Sequence, residues 1–295
     1  MEQGTDISDV SVVICTRNNK KTIRQAVQRI INEKPGEIIV VDGNSTDGTR
    51  EILKKMPVRL LTDPGKGLAL ARQTALDAAA GRYILFAGDD NILPGGGIAK
   101  LKSYMLARGW AGGAFQTRVY GSSKSYWAYC ADWRFRTRVW EGERKVVGTP
   151  YMFETEILKQ AGYDEACTDC DDSDIAERIS VITGRKYGYT NLKCLEIGKT
   201  GLRETIKRFL IYGRSDAQYW KKYAPGWGIS RKMQSLLHPL RDELIESMKK
   251  VTPKSLRLYV FPYFLFITVI RYLGWVWECV RQTADIRQNG RHAQH

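Results

Sequence analysis

No leader is visible at the start of this sequence. MEQGTDISD is polar and acidic, with neither the basic stretch nor the apolar run of a signal peptide, so the globular part is expected to stay in the cytoplasm. Low-complexity tracts and solenoid-period repeats are missing too, which excludes arrays and leaves a globular chain. Neither GxGxxG nor GxxxxGK[ST] follows a candidate strand, so an ordinary Gly-rich phosphate loop is excluded. Cys167-Thr-Asp-Cys170 has CxxC spacing, but no second pair of zinc ligands is visible, and reduced thiols are the expected state. Acidic residues are outnumbered 32 to 46 by Lys and Arg, a formal charge of +14. Such an excess asks for nucleic acid, anionic lipid or a phosphorylated ligand. Zinc-finger, RNA-recognition and basic-zipper patterns do not occur, so no nucleic-acid partner is expected.

What is present is a β-then-α alternation. VSVVIC (10–15) is a continuous β-branched run, as in a strand buried on both faces. The polar turn Thr16-Arg17-Asn18-Asn19 follows, then a helix with apolar positions at Ile23, Ala26, Val27, Ile30 and Ile31. Pro35-Gly36 ends it, EIIVVD is a second buried strand, and Ser45 or Thr46 is the expected cap of the next helix. VRLLTD, a helix from Gly67 to Ala80, and RYILFAG repeat the pattern. Three alternations in the first ninety residues predict an α/β domain with a mostly parallel sheet covered by helices.

Ligands of open α/β sheets bind outside the carboxyl ends of the strands. Thr16 to Asn19, Asp42, Asp63 and Asp89-Asp90-Asn91 all fall there. A lone aspartate after a strand is usually a turn former or helix cap, which is the bland reading of Asp42 and Asp47. Carboxylates at several successive strand ends are harder to explain that way. Beyond residue 110 the alternation fades. Residues 126–140, rich in aromatics and arginine, read as a core strand pair or an acceptor-binding surface, with packing the expected role of most rings.

Four blocks in order carry a family resemblance: VSVVICTRNN, VVDGNSTDGT, GKGLALARQTALDAAAGRYILFAGDDN, and AGYDE followed by DDSDIAERI. Over roughly residues 9 to 220 the chain resembles glycosyltransferase family 2, with its GT-A fold. The resemblance implies an inverting transfer of sugar from a nucleotide-sugar donor, UDP- or GDP-linked, to an acceptor hydroxyl. It implies a divalent cation, Mn2+ or Mg2+, bound by Asp90 as the last acid of the metal motif, with Asp89 on the ribose or the metal. Gly88 stands where the first acid is expected. A hard cation held by one or two carboxylates neutralises a diphosphate as it leaves. The same resemblance assigns Asp42 to the base or ribose, with Thr16 and Arg17 lining that pocket. Lys66 and Arg72 are phosphate candidates or solvated helix charges.

An acceptor hydroxyl must lose its proton as it attacks, and a positioned carboxylate serves as the base. By resemblance that base is Asp172, with Asp171 in reserve. Asp174 and Arg178, four apart, read as a helix ion pair. Asp164 and Asp169 would raise the base's pKa if close. Synthesis of a polyprenyl-phosphate sugar is the alternative reaction, since an ionised phosphate needs no base. A non-catalytic nucleotide-sugar-binding membrane scaffold is the second alternative, resting on Gly88. The Gly- and Arg-rich N-terminal loop of sugar-nucleotide pyrophosphorylases is missing.

The expected organisation is a catalytic domain over 1–225, divided near 110 into donor and acceptor halves, and a helical membrane-associating region over 226–295. Within the latter, residues 256–280 are apolar but interrupted by Pro262 and Arg271, so interfacial helices are expected rather than a comfortable span. Tyr259, Tyr263, Tyr272, Trp275 and Trp277 are headgroup-boundary residue types. Lys249, Lys250, Lys254, Arg257, Arg281 and Arg287 suit an anionic membrane surface. Attachment at the cytoplasmic face implies a lipid-linked or membrane glycan acceptor; an oligomer contact is the other use of this tail. The segment 230–250 reads as an amphipathic helix beginning near Pro239. His238, one of three histidines, is a weak candidate for an extra metal ligand.

Overall fold

The computed structural model describes residues 5–198 and 201–292, with side chains as far as Gln282. Residues 1–4 of the polar N-terminus and the side chain of Arg287 lie outside that description. The chain forms two compact units, Met1–Gly121 with Val139–Gly198, and Ser122–Arg138 with Lys199–His295. This division falls earlier than residue 225, because the long helix at 202–223 belongs with the C-terminal helices.

Unit 1 is a sheet with helices on it. Its elements in chain order are β1 (Val10–Thr16), α1 (Ile23–Glu33), β2 (Glu37–Asp42), α2 (Thr49–Leu53), β3 (Arg59–Thr62), α3 (Leu68–Ala78), β4 (Tyr83–Gly88), β5 (Asn91–Ile92), α4 (Gly97–Ala107) and β6 (Gly112–Val119). After α5 (Tyr126–Arg138), which belongs to unit 2, come β7 (Gly142–Glu143), β8 (Tyr151–Glu154), α6 (Thr155–Ala161), α7 (Asp171–Ile182) and β9 (Tyr187–Glu196). The strand order is β3-β2-β1-β4-β8-β6-β9-β5, with β7 also on β9. Strands β1 to β4 pair parallel to one another, whereas β8 runs antiparallel to β4 and β6.

The β-branched runs make the centre of this sheet. Val12, Val13, Ile14, Ile39, Val40 and Val41 are fully buried, as expected for strands covered on both faces. Helix α1 buries Ile23, Ala26, Val27 and Ile30, the spacing of one helical stripe, and stops at Lys34, whose φ of 55° is left-handed. Chain order reverses between β1 and β4, which makes their carboxyl ends the switch point of the sheet.

Unit 2 is helical: α5, α8 (Leu202–Tyr223), α9 (Ile229–His238), a π-helical stretch (Pro239–Ile245), α10 (Glu246–Lys250) and α11 (Leu256–His292). The aromatic segment at 126–140 is therefore a helix, not a strand pair; α5 buries Ala128, Cys130, Ala131, Asp132 and Thr137. Helical structure also begins at Ile229, well before Pro239. Pro262 sits inside α11 without ending it. A Cβ on Gly213 of α8 would lie 1.9 Å from the carbonyl oxygen of Arg271, and one on Gly274 2.3 Å from that of Leu210. Gly213 and Gly274 thus let α8 and α11 approach backbone to backbone.

The interior of unit 2 is ionic. Arg134 donates to Glu243 from Nε and Nη2 at 2.7 and 2.6 Å, and Arg271 Nη1 reaches the same carboxylate at 2.7 Å. The other two nitrogens of Arg271 form a fork with Asp216 at 2.6 and 2.7 Å. Arg271 does not interrupt an apolar surface; it is buried against these acids. Tyr263 is also buried, so it is not a headgroup residue. Among the described residues one segment, Leu256–Gln282, is long and apolar enough to cross a membrane by length and composition.

Candidate functional site

The loops at the carboxyl ends of β1, β2 and β3 are sewn together. The Asn18 amide donates to Ser45 Oγ at 2.9 Å, and its side-chain oxygen accepts from the Thr46 amide at 2.8 Å. The amides of Asn19 and Lys20 donate to Thr49 Oγ1 and Asp47 Oδ2 at 2.9 and 3.1 Å. Arg17 Nη1 donates to the carbonyl of Gly65 at 3.1 Å. Asp47 bonds the Thr49 amide at 3.0 Å, so Asp47 anchors the start of α2 rather than Ser45 or Thr46.

Asp42, the last residue of β2, is fully buried. Its Oδ2 accepts from the Ser45 amide at 3.1 Å and lies 3.4 Å from Arg50 Nη1. Its Oδ1 is buried with no hydrogen-bond partner among the described residues. A buried acceptor left unpaired is costly, and a ligand donor group would satisfy it.

At the end of β4 the Thr16 hydroxyl donates to Asp89 Oδ2 at 2.7 Å across the switch point. The Thr22 hydroxyl donates to the Asp89 carbonyl at 2.8 Å, which fixes the turn. Asp90 is buried, and the Ile197 amide bonds its carbonyl at 2.9 Å. The position of the absent acid is accounted for by Asn91. Its Oδ1 accepts from the Gly88 amide at 2.8 Å, and a Cβ on Gly88 would meet Asn91 Oδ1 and Asp90 Oδ1 at 2.8 Å each. The space of a side chain at 88 is thus taken by the ends of residues 90 and 91. Asp89, Asp90 and Asn91 offer only oxygen donors to a cation, the set that hard divalent ions take, so Mn2+ or Mg2+ fits by chemistry. A second donor group, Asp164, Cys167 and Asp174, has its ligand atoms within 4.8 Å of one another. There Asp174 already pairs with Arg178 on the next turn of α7, the expected helix ion pair.

Helix α7 opens with three acids, and α3 meets them. Arg72 is 3% exposed, so it is no solvated helix charge. Its Nη1 donates to both Asp171 Oδ2 and Asp172 Oδ1. The guanidinium stands 5.7 Å from the Tyr151 ring and 5.9 Å from those of Phe86 and Tyr163. The two tyrosine hydroxyls share a 2.6 Å hydrogen bond. The side chain of Asp171 is 6% exposed and that of Asp172 38%. Burial pushes Asp171 up to about 7; Arg72 opposes this and the like charge of Asp172 adds to it. The like charge that acts on Asp171 is thus that of Asp172. The hydrogen bond to Cys167, and then burial, drive the Cys170 thiol upward, and the CxxC pair forms no disulfide.

Cys15, unremarked in sequence, lies where these groups converge. Burial raises its thiol to about 12, and it feels the charges of Arg72, Asp171, Asp63 and Asp89. The strand-end acids and the α7 acids thus share one neighbourhood. Lys66 is exposed in the loop before α3. His238 belongs to unit 2, where its Nε2 lies 3.3 Å from Asp242 Oδ2. Arg50, Tyr151 and Tyr163 escaped sequence reading; none carries a local signal that links it to a strand-end acid.

The family model described as Glycosyl transferase family 2 matches residues 11–158. The chain is 32% identical over 91 residues to the cholesterol galactosyltransferase of Borreliella burgdorferi, covering 28% of this chain and 25% of that protein. It is 38% identical over 88 residues to WfaP of Escherichia coli, a UDP-Glc:alpha-D-GlcNAc-diphosphoundecaprenol beta-1,3-glucosyltransferase, covering 28% of this chain and 35% of that one. The chain thus matches well under half the length of these relatives. Among solved structures it is similar to S. aureus TarS 1-349 in complex with UDP-GlcNAc, with a TM-score of 0.55 at 14% identity, covering 93% of this chain and 92% of that one. At that identity the likeness is one of fold.

Proposed function

Since the chain belongs to glycosyl transferase family 2 and has the GT-A type of α/β fold, it is a glycosyltransferase, and we propose that it moves one sugar, with inversion, from a nucleotide-sugar donor to a hydroxyl of a lipid-linked glycan. The observation that carries this reading is the Arg72–Asp171–Asp172 group on the same side of the sheet as the strand-end acids. Asp172 Oδ1 is tethered to Arg72, while the side chain as a whole is the accessible one of the pair.

In this mechanism the orphaned Asp42 Oδ1 accepts a hydrogen bond from the base or ribose, with Thr16 and Arg17 beside it. Arg72, closed off by two carboxylates and three rings, orients the base rather than serving as a free phosphate ligand. A divalent ion held by Asp90, with Asp89 beside it, would supply charge neutralisation to the departing diphosphate. Asp172 takes the proton of the acceptor hydroxyl as its oxygen bonds the anomeric carbon. The bond from that carbon to the phosphate oxygen breaks, and its electron pair leaves with the nucleoside diphosphate.

The diphosphoundecaprenol-linked acceptor in the name of WfaP and the sterol in that of the Borreliella relative support an acceptor carried on lipid. The UDP-Glc in the name of WfaP also favours UDP as the nucleotide, and we place the reaction at the cytoplasmic face of a membrane. The test is transfer by the full chain from UDP-glucose, UDP-galactose, UDP-GlcNAc and GDP-mannose, with and without Mn2+. Acceptors are GlcNAc-diphosphopolyprenol and polyprenyl phosphate. Transfer to the glycan, lost in Asp172→Asn, supports the reading. Transfer to polyprenyl phosphate by an unimpaired Asp172→Asn would replace it with the polyprenyl-phosphate synthase reaction. Donor binding without turnover would leave the scaffold.

A further inference from the structure

Part of unit 2 is built inside out. Along α11, Leu258, Leu265, Val269, Leu273, Val276 and Val280 are exposed, Leu258 at 86% and Val280 at 65%. Their spacing of three, four and seven puts them on one helical face. No charged residue interrupts that face from 258 to 280. The charges are on the opposite side: Arg271 is 8% exposed and Glu278 1%. Arg271 is forked onto Asp216 and bonded to Glu243, while Glu278 accepts from Arg281 at 2.6 and 3.0 Å. A soluble helix has the reverse arrangement.

Helix α9 repeats the pattern. It buries none of its residues, and Ile229, Met233 and Leu237, four apart, are exposed, Ile229 at 82%. His238, a half-turn away from that row, is the residue directed to Asp242. Two helices therefore present apolar rows that the fold leaves uncovered.

We propose that these rows on α11 and α9 dock unit 2 on an anionic bilayer, with α11 lying along the surface rather than crossing it. The occupant follows from length and charge. From Leu258 to Val280 the row runs about 33 Å at 1.5 Å per residue, an unbroken apolar strip. Exposed Lys249, Lys250 and Lys254 lead into it and exposed Arg281 closes it, cations where phosphate headgroups would lie. The orientation follows from the buried face. A spanning α11 would carry Arg271 and Glu278 to membrane depth together with α8, whose Asp216 and Arg214 accompany them. Docking along the surface leaves every one of those pairs intact. The proposal rests on the membrane setting given above but not on the sugar chemistry.

Flotation of the full chain with sealed vesicles tests it, using phosphatidylcholine alone and with phosphatidylglycerol. Binding is expected to the anionic vesicles and to weaken in high salt. Leu265→Asp with Val269→Asp, and separately Ile229→Asp, should each lower partitioning about tenfold or more. All three positions are exposed, so the ellipticity of the fold should not change. Single cysteines at Lys254→Cys and Arg281→Cys, in a background with the native cysteines changed to serine, should both react with a membrane-impermeant maleimide added outside. Protection of one end would mean a span. Absence of flotation, or Asp variants that turn a dimer into a monomer while floating as before, would overturn the proposal. Donor turnover measured in the same samples separates it from the transferase reading: flotation without turnover removes only the latter.

Discussion

One nitrogen of Arg72, Nη1, donates to Asp172 Oδ1 across 100 residues of sequence, and the same nitrogen serves Asp171. One cation therefore answers two carboxylates, and the group keeps a net negative charge when both are ionised. Burial divides their labour: Asp171 is enclosed and Asp172 faces outward.

Asp172→Asn should lower kcat about 100- to 10,000-fold, the range for loss of a general base, with little change in nucleotide affinity. Asp171→Asn should cost less, and Arg72→Lys should fall between them, because a compact, strongly hydrated ammonium stacks less well among the Phe86, Tyr151 and Tyr163 rings than the guanidinium does. Steady-state kinetics beside calorimetric UDP binding checks the order. An Asp171→Asn defect exceeding that of Asp172→Asn would exchange the roles.

The acid pair should also set a pH dependence. Asp171 holds a proton up to about 7 in the folded protein against 3.8 as a free side chain. The folded state thus binds a proton that the unfolded chain releases. Its contribution to stability is fully present below about pH 3.8 and is lost as pH rises through 7. Turnover should move oppositely, rising through pH 7 as Asp171 ionises and adds its negative charge beside Asp172. Urea midpoints and kcat/KM at pH 5 to 9 should show both trends, and Asp171→Asn should remove the first.

Gly88→Asp restores the acid expected by resemblance, yet should not improve the enzyme. Its Cβ would press on Asn91 and Asp90 at 2.8 Å. Activation by Mn2+ should weaken roughly tenfold, about 1.4 kcal/mol. A lower Mn2+ requirement in this variant would mean that position 88 is a vacant ligand site after all.

Glu243→Ala should destabilise unit 2 by about 3–5 kcal/mol, because it strips Arg134 and Arg271 of a shared buried partner. The melting transition of the full chain reports it. A loss under about 1 kcal/mol, the range of surface ion pairs, would mean that solvent already reaches the triad.

His238 gives unit 2 an acid limit. Burial, and next Arg271, press its pKa down to about 4 from 6.5, with Asp216 opposing. The unfolded chain gains this proton first, so stability present above 6.5 is lost as pH falls toward 4. His238→Gln should flatten that part of the stability profile and leave the alkaline side unchanged.

The sequence made the sheet legible because its strands are buried on both faces, so unbroken runs such as VSVVIC and EIIVVD have no competing helical period. The strand-end acids came with it, since topology places them. Position 72 was not legible. In LALARQTALDA apolar residues lie on several sides, and nothing local tells whether the arginine faces water or the acids of α7. Residues 126–138 were misread for a related reason: α5 buries an aspartate and four small residues while its rings are spread around it, so no period emerges. The inside-out α11 defeats hydropathy altogether, because Arg271 breaks the run in sequence while lying on the face away from solvent.

The stitching of the first two βα loops has a thermodynamic consequence. Asn18, Asn19 and Lys20 hold Ser45, Thr46, Asp47 and Thr49 through hydrogen bonds of the protein's own groups. The chain entropy of ordering those loops is therefore spent during folding, and nucleotide binding does not meet it again. Recognition at the ends of β1 and β2 becomes a matter of replacing water around an already fixed carboxylate, with affinity governed by desolvation rather than by loop closure.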